Sequence, residues 1–452
     1  MRASLTLIIF TLLIGGCTVF MPKQRTDLDQ DVPAAFSEAS GATELFSDWW
    51  ESFDSDELNA LMEEAFSGNL GLAQYSARLK QQAALARKTG AASAPSLSGS
   101  ASAGTTLPDI TESTRVDAYR LGLSASYEID LWGRISASKE AALNGVEASR
   151  YDFQSAKLTL SANITQAWLN IIAQQRRLDL LNEQLETNLD SLDLLEVRQK
   201  KGLASALEVY QQQQAVESTR AMIPSAELQL EQQKLQLAVL LGRSNSSGID
   251  IKTAVAPDLP PLPAAGLPAD LLMNRPDLRA EFERLSAKEY GAAIARADRL
   301  PTLTLTGSLT DSETRIADLL DNWAGNLAAG LAAPLIDGGR RKAEVEYQLA
   351  RIEEGVALYR QKVITAISEV DNALLQERKT AEQLTLQRRQ LEVLDQQLNE
   401  AQIRYRNSLV DYLNVLSALT AKQNMERNLI NTELSLYLFR IELCRALGGG
   451  AQ

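Results

Sequence analysis

The sequence predicts an α+β membrane protein, and three observations carry that reading. The chain repeats itself at a spacing of 206 residues, each copy holds one very long helical run, and each holds two short stretches of alternating polarity. Ala94-Pro95-Ser96-Leu97-Ser98 returns as Leu300-Pro301-Thr302-Leu303-Thr304, Arg134 as Arg340, Arg198 as Arg404, and Leu241-Gly242 as Leu447-Gly448. One offset holds from residue 94 to residue 448, apart from a one-residue slip near Asp130 and Asp337. Duplication on this scale implies pseudo-symmetry of the kind found in closed rings and barrels, not a short solenoid.

The helices come first. Residues 136–201 and 342–407 contain no proline, and each run has 66 residues. At about 1.5 Å per residue that is about 100 Å of helix, longer than any single globular core. Ile164, Ile171, Leu178, Leu185 and Leu192 recur every seven residues. Val363, Val370, Leu384, Leu391 and Leu398 repeat the series, with Glu377 interrupting it. Sustained heptads predict coiled-coil-like packing. The runs stop at Lys201-Gly202-Leu203 and Asn407-Ser408-Leu409, and helical patterning resumes over 203–241 and 409–447. Shorter helical segments near 56–92 and 270–298 precede the strands, so two short helices stacked end to end would match one long one. Gln211 to Gln214, Gln232-Gln233 and Gln396-Gln397 give these helices polar faces, which suit either bulk solvent or a water-filled lumen.

The strands follow. Tyr119, Leu121, Leu123, Ala125, Tyr127 and Ile129 alternate with Arg120, Gly122, Ser124, Ser126 and Glu128. Leu303, Leu305 and Leu309 alternate with polar residues in the second copy. The four expected strands lie near 96–105, 119–129, 301–310 and 325–335. Strands of about ten residues with one apolar face suit an outer-membrane barrel, the alternative being a soluble two-sided sheet. Four strands cannot close around a pore, and open edges are not tolerated in lipid. A membrane sheet of this kind therefore requires several chains to share one barrel.

The N-terminus reads as a targeting segment. Arg2 and the apolar stretch Leu5 to Ile14 are too short for a permanent spanning helix. They end at Ile14-Gly15-Gly16-Cys17, which resembles a bacterial lipobox and makes Cys17 the expected lipidation site. Thr18, rather than Asp, follows the cysteine and favours the outer membrane. The expected organisation is a lipoprotein signal peptide at 1–16 and an N-terminal anchor and extended segment at 17–55. A first repeat covers 56–242, a Pro-rich linker 243–269, a second repeat 270–448 and a short tail 449–452. Prolines 257, 260, 261, 263 and 268 make the linker extended. Cys444, in an apolar helical stretch, reads as a small core residue.

Composition narrows the function. The net charge of −13 argues against a basic nucleic-acid face. The chain has no histidine, which removes the usual proton shuttle, the Ser-His-Asp triad and the commonest metal ligand. No phosphate-binding glycine motif is present. Neither an enzyme, a cofactor nor a nucleic-acid partner is expected.

Read in order, the motifs resemble a known family. They are Glu128-Ile129-Asp130-Leu131-Trp132-Gly133-Arg134, Asn274-Arg275-Pro276-Asp277-Leu278-Arg279, Leu300-Pro301-Thr302-Leu303-Thr304-Leu305-Thr306-Gly307, Pro334-Leu335-Ile336-Asp337-Gly338-Gly339-Arg340, and Leu443-Cys444-Arg445-Ala446-Leu447-Gly448-Gly449-Gly450. With the duplication and the lipobox, the chain resembles TolC-type outer-membrane channels of the lipoprotein branch, the OprM- and NodT-like outer-membrane factors. The resemblance implies a homotrimer with a twelve-stranded outer-membrane β-barrel, four strands per chain, continued by a long periplasmic α-helical barrel. It implies a passive exit duct of a tripartite efflux pump. The partners would be a periplasmic adaptor (membrane fusion) protein, an inner-membrane transporter of RND type and outer-membrane lipid. The same duct serving type I protein secretion is the alternative, and a lipid-anchored periplasmic coiled-coil scaffold is a rival of another class. The resemblance also implies that the linker and residues 18–50 wrap the helical barrel.

In this family the tips of the helix pairs narrow the tunnel. That makes Asp411, Tyr412, Asn414, Leu416, Ser417 and Glu208 the candidate periplasmic gate, with Arg404 and Tyr405 as helix-tip contacts. Relatives often carry Asp where this chain has Asn414 or Ser417, so the acidic ring implied here is thin. Asp411 and Glu208 would each become a ring of three charges, or would merely face solvent or cap a helix turn.

Overall fold

A computed structural model of the chain describes residues 20, 22, 32–38, 48–106 and 116–449. The elements run α1 (Asp56–Gly68), α2 (Leu70–Gly90), β1 (Ser96–Thr106), β2 (Val116–Ile129), α3 (Arg134–Lys200) and α4 (Ala206–Leu240). The second copy gives α5 (Leu271–Asn274), α6 (Pro276–Ala297), β3 (Thr302–Glu313), β4 (Ala324–Ala332), α7 (Arg340–Arg406) and α8 (Tyr412–Ala446). α3 and α7 have 67 residues each, and α4 and α8 have 35 each. Their ends fall 206 residues apart, so the repeat in sequence is a repeat in backbone.

Two compact units make up the chain. One contains Ser76–Tyr151 and Arg279–Gln361; the other contains Asp31–Tyr75, Asp152–Leu278 and Lys362–Gln452. The first unit holds a four-stranded antiparallel sheet in the order β1-β2-β3-β4. Among the described residues β1 and β4 each have one unpaired edge. Ser96 pairs with Ser126 and Thr302 with Ala332, so the two hairpins share one register. β4 stops at Ala332, short of the alternation that runs to Leu335. Pro334 has no N–H to give a ladder and ends it. At the other end, β3 extends to Glu313. There Asp311, 1 % exposed, accepts hydrogen bonds from the Leu320 and Asn322 N–H groups and fastens the β3–β4 loop.

The second unit holds the larger apolar core. Trp49, Phe53, Leu58, Met62, Ile164, Trp168, Leu169, Ile171, Ile172 and Leu237 are fully enclosed in it. The expected single helices near 56–92 and 270–298 are each broken, at Asn69 and Arg275. Asn69 caps two helices at once: Oδ1 accepts from Leu72 N at 2.8 Å, and Nδ2 donates to Leu240 O at 2.8 Å. Arg275 stands one repeat later and also serves a helix end, donating through Nη1 to Ala446 O at 3.2 Å. It pairs with Asp277 at 2.8 Å and Glu369 at 2.6 Å as well. Burial works against the charged form of Arg275, but the Asp277 and Glu369 carboxylates outweigh it and raise its pKa.

Glycine is required at both joints. A Cβ on Gly242, at φ +79°, would lie 2.2 Å from Gly68 O. One on Gly448, at φ +89°, would lie 2.6 Å from Asn274 O. The repeated Leu-Gly endings of the two copies are thus close backbone crossings, where the return helix meets the break in the short ones.

Glu377, which interrupts the heptads of α7, is no defect. Its carboxylate accepts both Nε (2.9 Å) and Nη2 (2.5 Å) of Arg440, and Arg440 Nη1 donates to Pro260 O. Tyr437 OH donates to Pro257 O at 2.7 Å, so the Pro-rich linker is fixed to α8. Ser37 and Glu38 of the N-terminal segment bind Asp371 and Arg378 of α7. Cys444 is buried among apolar side chains, which pushes its thiol pKa up to about 12.

Candidate functional site

The candidate gate lies where α3 turns into α4 and α7 into α8. Both turns use one backbone solution. In the first, Gly202 adopts φ +70°, Gly202 N donates to Gln199 O and Leu203 N to Arg198 O, both at 2.8 Å. In the second, Ser408 adopts φ +58°, Ser408 N donates to Tyr405 O and Leu409 N to Arg404 O, both at 2.9 Å. These paired bonds satisfy the last carbonyls of each long helix. A serine in the left-handed region carries strain that glycine avoids.

The helix starts differ. Ser205 and Glu208 form a reciprocal capping box: Glu208 N donates to Ser205 Oγ at 3.3 Å, and Ser205 N donates to Glu208 Oε2 at 2.6 Å. Glu208 therefore has a structural role of its own. Asp411 occupies the matching N-cap of α8 but makes no side-chain cap bond. Asn414 Nδ2 instead donates to Asp411 O at 3.3 Å. Asp411, Asn414 and Ser417 are all exposed and, three residues apart, share one face of the helix start.

Of the remaining candidates, Tyr405, Tyr412 and Leu416 face inward. Tyr412, Val415 and Leu195 form a small core against which Tyr405, Leu416, Val209 and Leu398 pack. The Tyr405 and Tyr412 rings meet edge-on with centroids 5.3 Å apart. The Arg198 guanidinium sits over the Tyr405 ring at 5.0 Å. Burial, and then the nearby Glu208 carboxylate, raise the Tyr405 pKa. Burial raises that of Tyr412 further, followed by the neighbouring Tyr405. Arg404 is exposed and pairs with Glu400 of its own helix at 2.6 Å. Thus Tyr405, Tyr412 and Leu416 come together, Asp411, Asn414 and Ser417 form a separate exposed row, and Arg404 joins neither. Cys17 lies outside the described residues.

A polar ladder that the sequence did not disclose runs inward from this cluster. Tyr412 OH donates to Gln212 Oε1 at 2.7 Å, and Gln212 Nε2 donates to Asn188 O at 2.7 Å. Asn188 Nδ2 donates to Thr219 Oγ1 at 2.9 Å, and Gln423 Nε2 donates to Asn188 Oδ1 at 3.2 Å. Gln184 Nε2 then donates to Gln423 O at 3.1 Å and to Glu426 Oε2 at 2.8 Å, while Arg427 donates to Gln184 Oε1. Burial, and then Arg177, lower the Arg427 pKa. Gln212 is 0 % exposed, so at least this member of the glutamine run faces neither bulk solvent nor a lumen. Such satisfied networks fix helix register, because any slip leaves buried amides unpaired.

Known proteins share this frame. The family model "Outer membrane efflux protein" matches residues 61–243 and again 267–449, so its two matches are themselves one repeat apart. The pyoverdine export outer membrane protein OpmQ of Pseudomonas aeruginosa is 32% identical over 465 residues, covering 99% of this chain and 97% of that protein. The toluene efflux pump outer membrane protein TtgI of Pseudomonas putida is 28% identical, covering 97% and 96%. The solved structure of the outer-membrane channel OprN superposes with a TM-score of 0.87 at 28% identity, covering 95% of this chain and 99% of that one. Two family matches on two copies of one backbone, and relatives of nearly equal length, lead to one conclusion. The chain belongs to the outer membrane efflux protein family, has the α+β fold of its channels, and is a passive outer-membrane channel of a tripartite efflux system rather than an enzyme.

Proposed function

We propose that three copies join their sheets into one twelve-stranded barrel and their helices into a periplasmic tunnel, through which small molecules leave the cell. The observation that carries this is the open sheet: four strands with an apolar face and two unpaired edges cannot stand alone in lipid. Lipid on Cys17 would add an anchor to the barrel. A periplasmic adaptor and an inner-membrane RND transporter would supply substrate and energy. The relatives' cargoes, pyoverdine and toluene, favour small molecules over secreted protein. Deleting the gene should sensitise the cell to a panel of toxic compounds. Unchanged susceptibility together with loss of a secreted protein would instead identify a type I secretion duct.

In this reading the exposed row Asp411, Asn414 and Ser417 lines the periplasmic constriction, with Asp411 giving a ring of three carboxylates. The inward cluster of Tyr405, Tyr412 and Leu416 holds the tip helices together behind it, and Glu208 caps α4. Asp411→Ala should lower cation selectivity in planar-bilayer conductance. Unaltered selectivity and conductance would remove Asp411 from the constriction.

A further inference from the structure

Between the Pro-rich linker and the helices it crosses lies a cavity of about 320 Å³. Small-ligand sites run from about 300 to 1,000 Å³, so this one is at the small end. Leu169 and Ile172 of α3, Leu384 of α7 and Ile430 of α8 line it and are buried. Val255, Ala256 and Leu259 of the linker form its outer wall. All of these residues belong to one compact unit. The wall is tethered, because Tyr437 OH donates to Pro257 O and Arg440 to Pro260 O. The cavity is therefore preformed, and a ligand need not order the linker in order to bind.

One rim of this apolar space is charged. Glu433 of α8 accepts from Arg176 Nη1 of α3 at 2.6 Å and from Arg388 Nη2 of α7 at 3.0 Å. A guanidinium has several N–H donors, and among the described residues only one nitrogen of each is engaged. Two arginines against one carboxylate leave the rim positive, although the whole chain carries −13. Burial, and then Glu433 and Asp258, raise the Tyr437 pKa, but Asp258 is exposed and does not line the cavity. The positions one repeat away from Arg176, Arg388 and Glu433 hold Glu382, Asn182 and Glu227. The duplication therefore does not account for the arginine pair.

We propose that this cavity binds a medium-chain fatty acid, its alkyl chain between the linker and the helices and its carboxylate on the free N–H groups of Arg176 and Arg388. The two oxygens of a carboxylate match the fork of a guanidinium. An amine would meet like charge there, and an alcohol would gain no bond between full charges. The volume selects one short chain, since a two-chain phospholipid would overfill about 320 Å³. Burial of the chain against leucine and isoleucine drives the binding. The bound chain touches the linker and all three helices at once, so it strengthens the linker's seat on them.

A decanoate carrying a photoreactive diazirine, applied to the full-length protein in outer membranes, should label peptides that hold Ala173 or residues 255–259. Unlabelled decanoate should displace it, and decylamine should not. Arg388→Gln, at a position whose side chain is 62% exposed, leaves the fold alone. It should weaken that displacement about tenfold, as expected for the loss of a charge-assisted hydrogen bond. Ala173→Phe should fill the cavity and remove the label; if that variant fails to fold, Arg388→Gln decides alone. Label confined to β1–β4 would mean partition into lipid around the sheet and overturns the site. Displacement by decylamine as readily as by decanoate overturns the carboxylate assignment, and the proposal with it. So does labelling at residues 255–259 that neither variant alters.

Discussion

The two copies of the repeat share a backbone but are filled differently. In the first copy Ile171 is fully buried in the apolar core; one repeat later stands Glu377, held by Arg440. The counterpart of Arg440 is Lys234, partly exposed and paired with Glu231 of its own helix at 2.8 Å. The first copy joins its short helices to its return helix with the neutral Asn69, the second with the charged Arg275. Helix ends, turns and strand register repeat because glycine, capping and ladder geometry dictate them. The core between those fixed points is free to be apolar in one copy and ionic in the other. Apolar contact is tolerant of small shifts, whereas a buried bidentate pair is directional. The second copy is therefore more exactingly positioned where the linker, through the Pro260 and Pro257 carbonyls, rests on α8.

The most severe test of that contrast is Arg440→Ala. It strands a buried carboxylate and should cost about 3–5 kcal/mol in chemical denaturation. Imposing the first copy's solution, Glu377→Ile with Arg440→Leu, should recover most of that loss, because a packed apolar pair can replace a buried ionic one. If Arg440→Ala proves as mild as Lys234→Ala, the two copies are equivalent in energy and the contrast fails.

The glycine joints test the opposite claim, that the backbone is common to both copies. Gly242→Ala and Gly448→Ala each add a Cβ at positive φ against a backbone carbonyl, at 2.2 Å and 2.6 Å. Each should cost about 1–3 kcal/mol, with Gly242→Ala the worse. Gly202→Ala has the same sign of φ (+70°) but nothing within 4 Å, so it should lose only about 1 kcal/mol. Equal losses at all three, read from thermal unfolding of the purified protein, would mean that φ alone matters and that the crossings are not tight.

Much of this was legible in the sequence because it depends on local rules. Period-two alternation located the strands, and the turns at Gly202 and Ser408 located the ends of α3 and α7. The breaks at Asn69 and Arg275 were not legible, since their reason is a helix end 171 residues away in each case. Glu377 looked like a fault in a heptad because its partner is 63 residues on. The ladder through Asn188, Gln212 and Gln423 was hidden for the same reason. Glutamine has no periodic signature that separates a buried amide from a wet one, and only long-range contacts satisfy it. At the tip, the sequence singled out Asp411 and Glu208 as acids without showing that one is engaged in a cap and the other is not.

That last difference gives the smallest predicted effect and the sharpest comparison of the two tips. Ser205→Ala removes half of a capping box and should cost about 1 kcal/mol. Asp411→Ala removes a side chain that makes no cap bond, so it should change stability by less than about 0.5 kcal/mol. Measured by the same denaturation curve, the pair separates an acid placed for folding from one placed for another purpose. A loss at Asp411 as large as that at Ser205 would show a cap formed in the assembled channel, and any change in its conductance would then follow from a displaced helix start. A negligible loss, joined to altered cation selectivity, leaves the carboxylate itself as the cause, because the backbone that carries it has not moved.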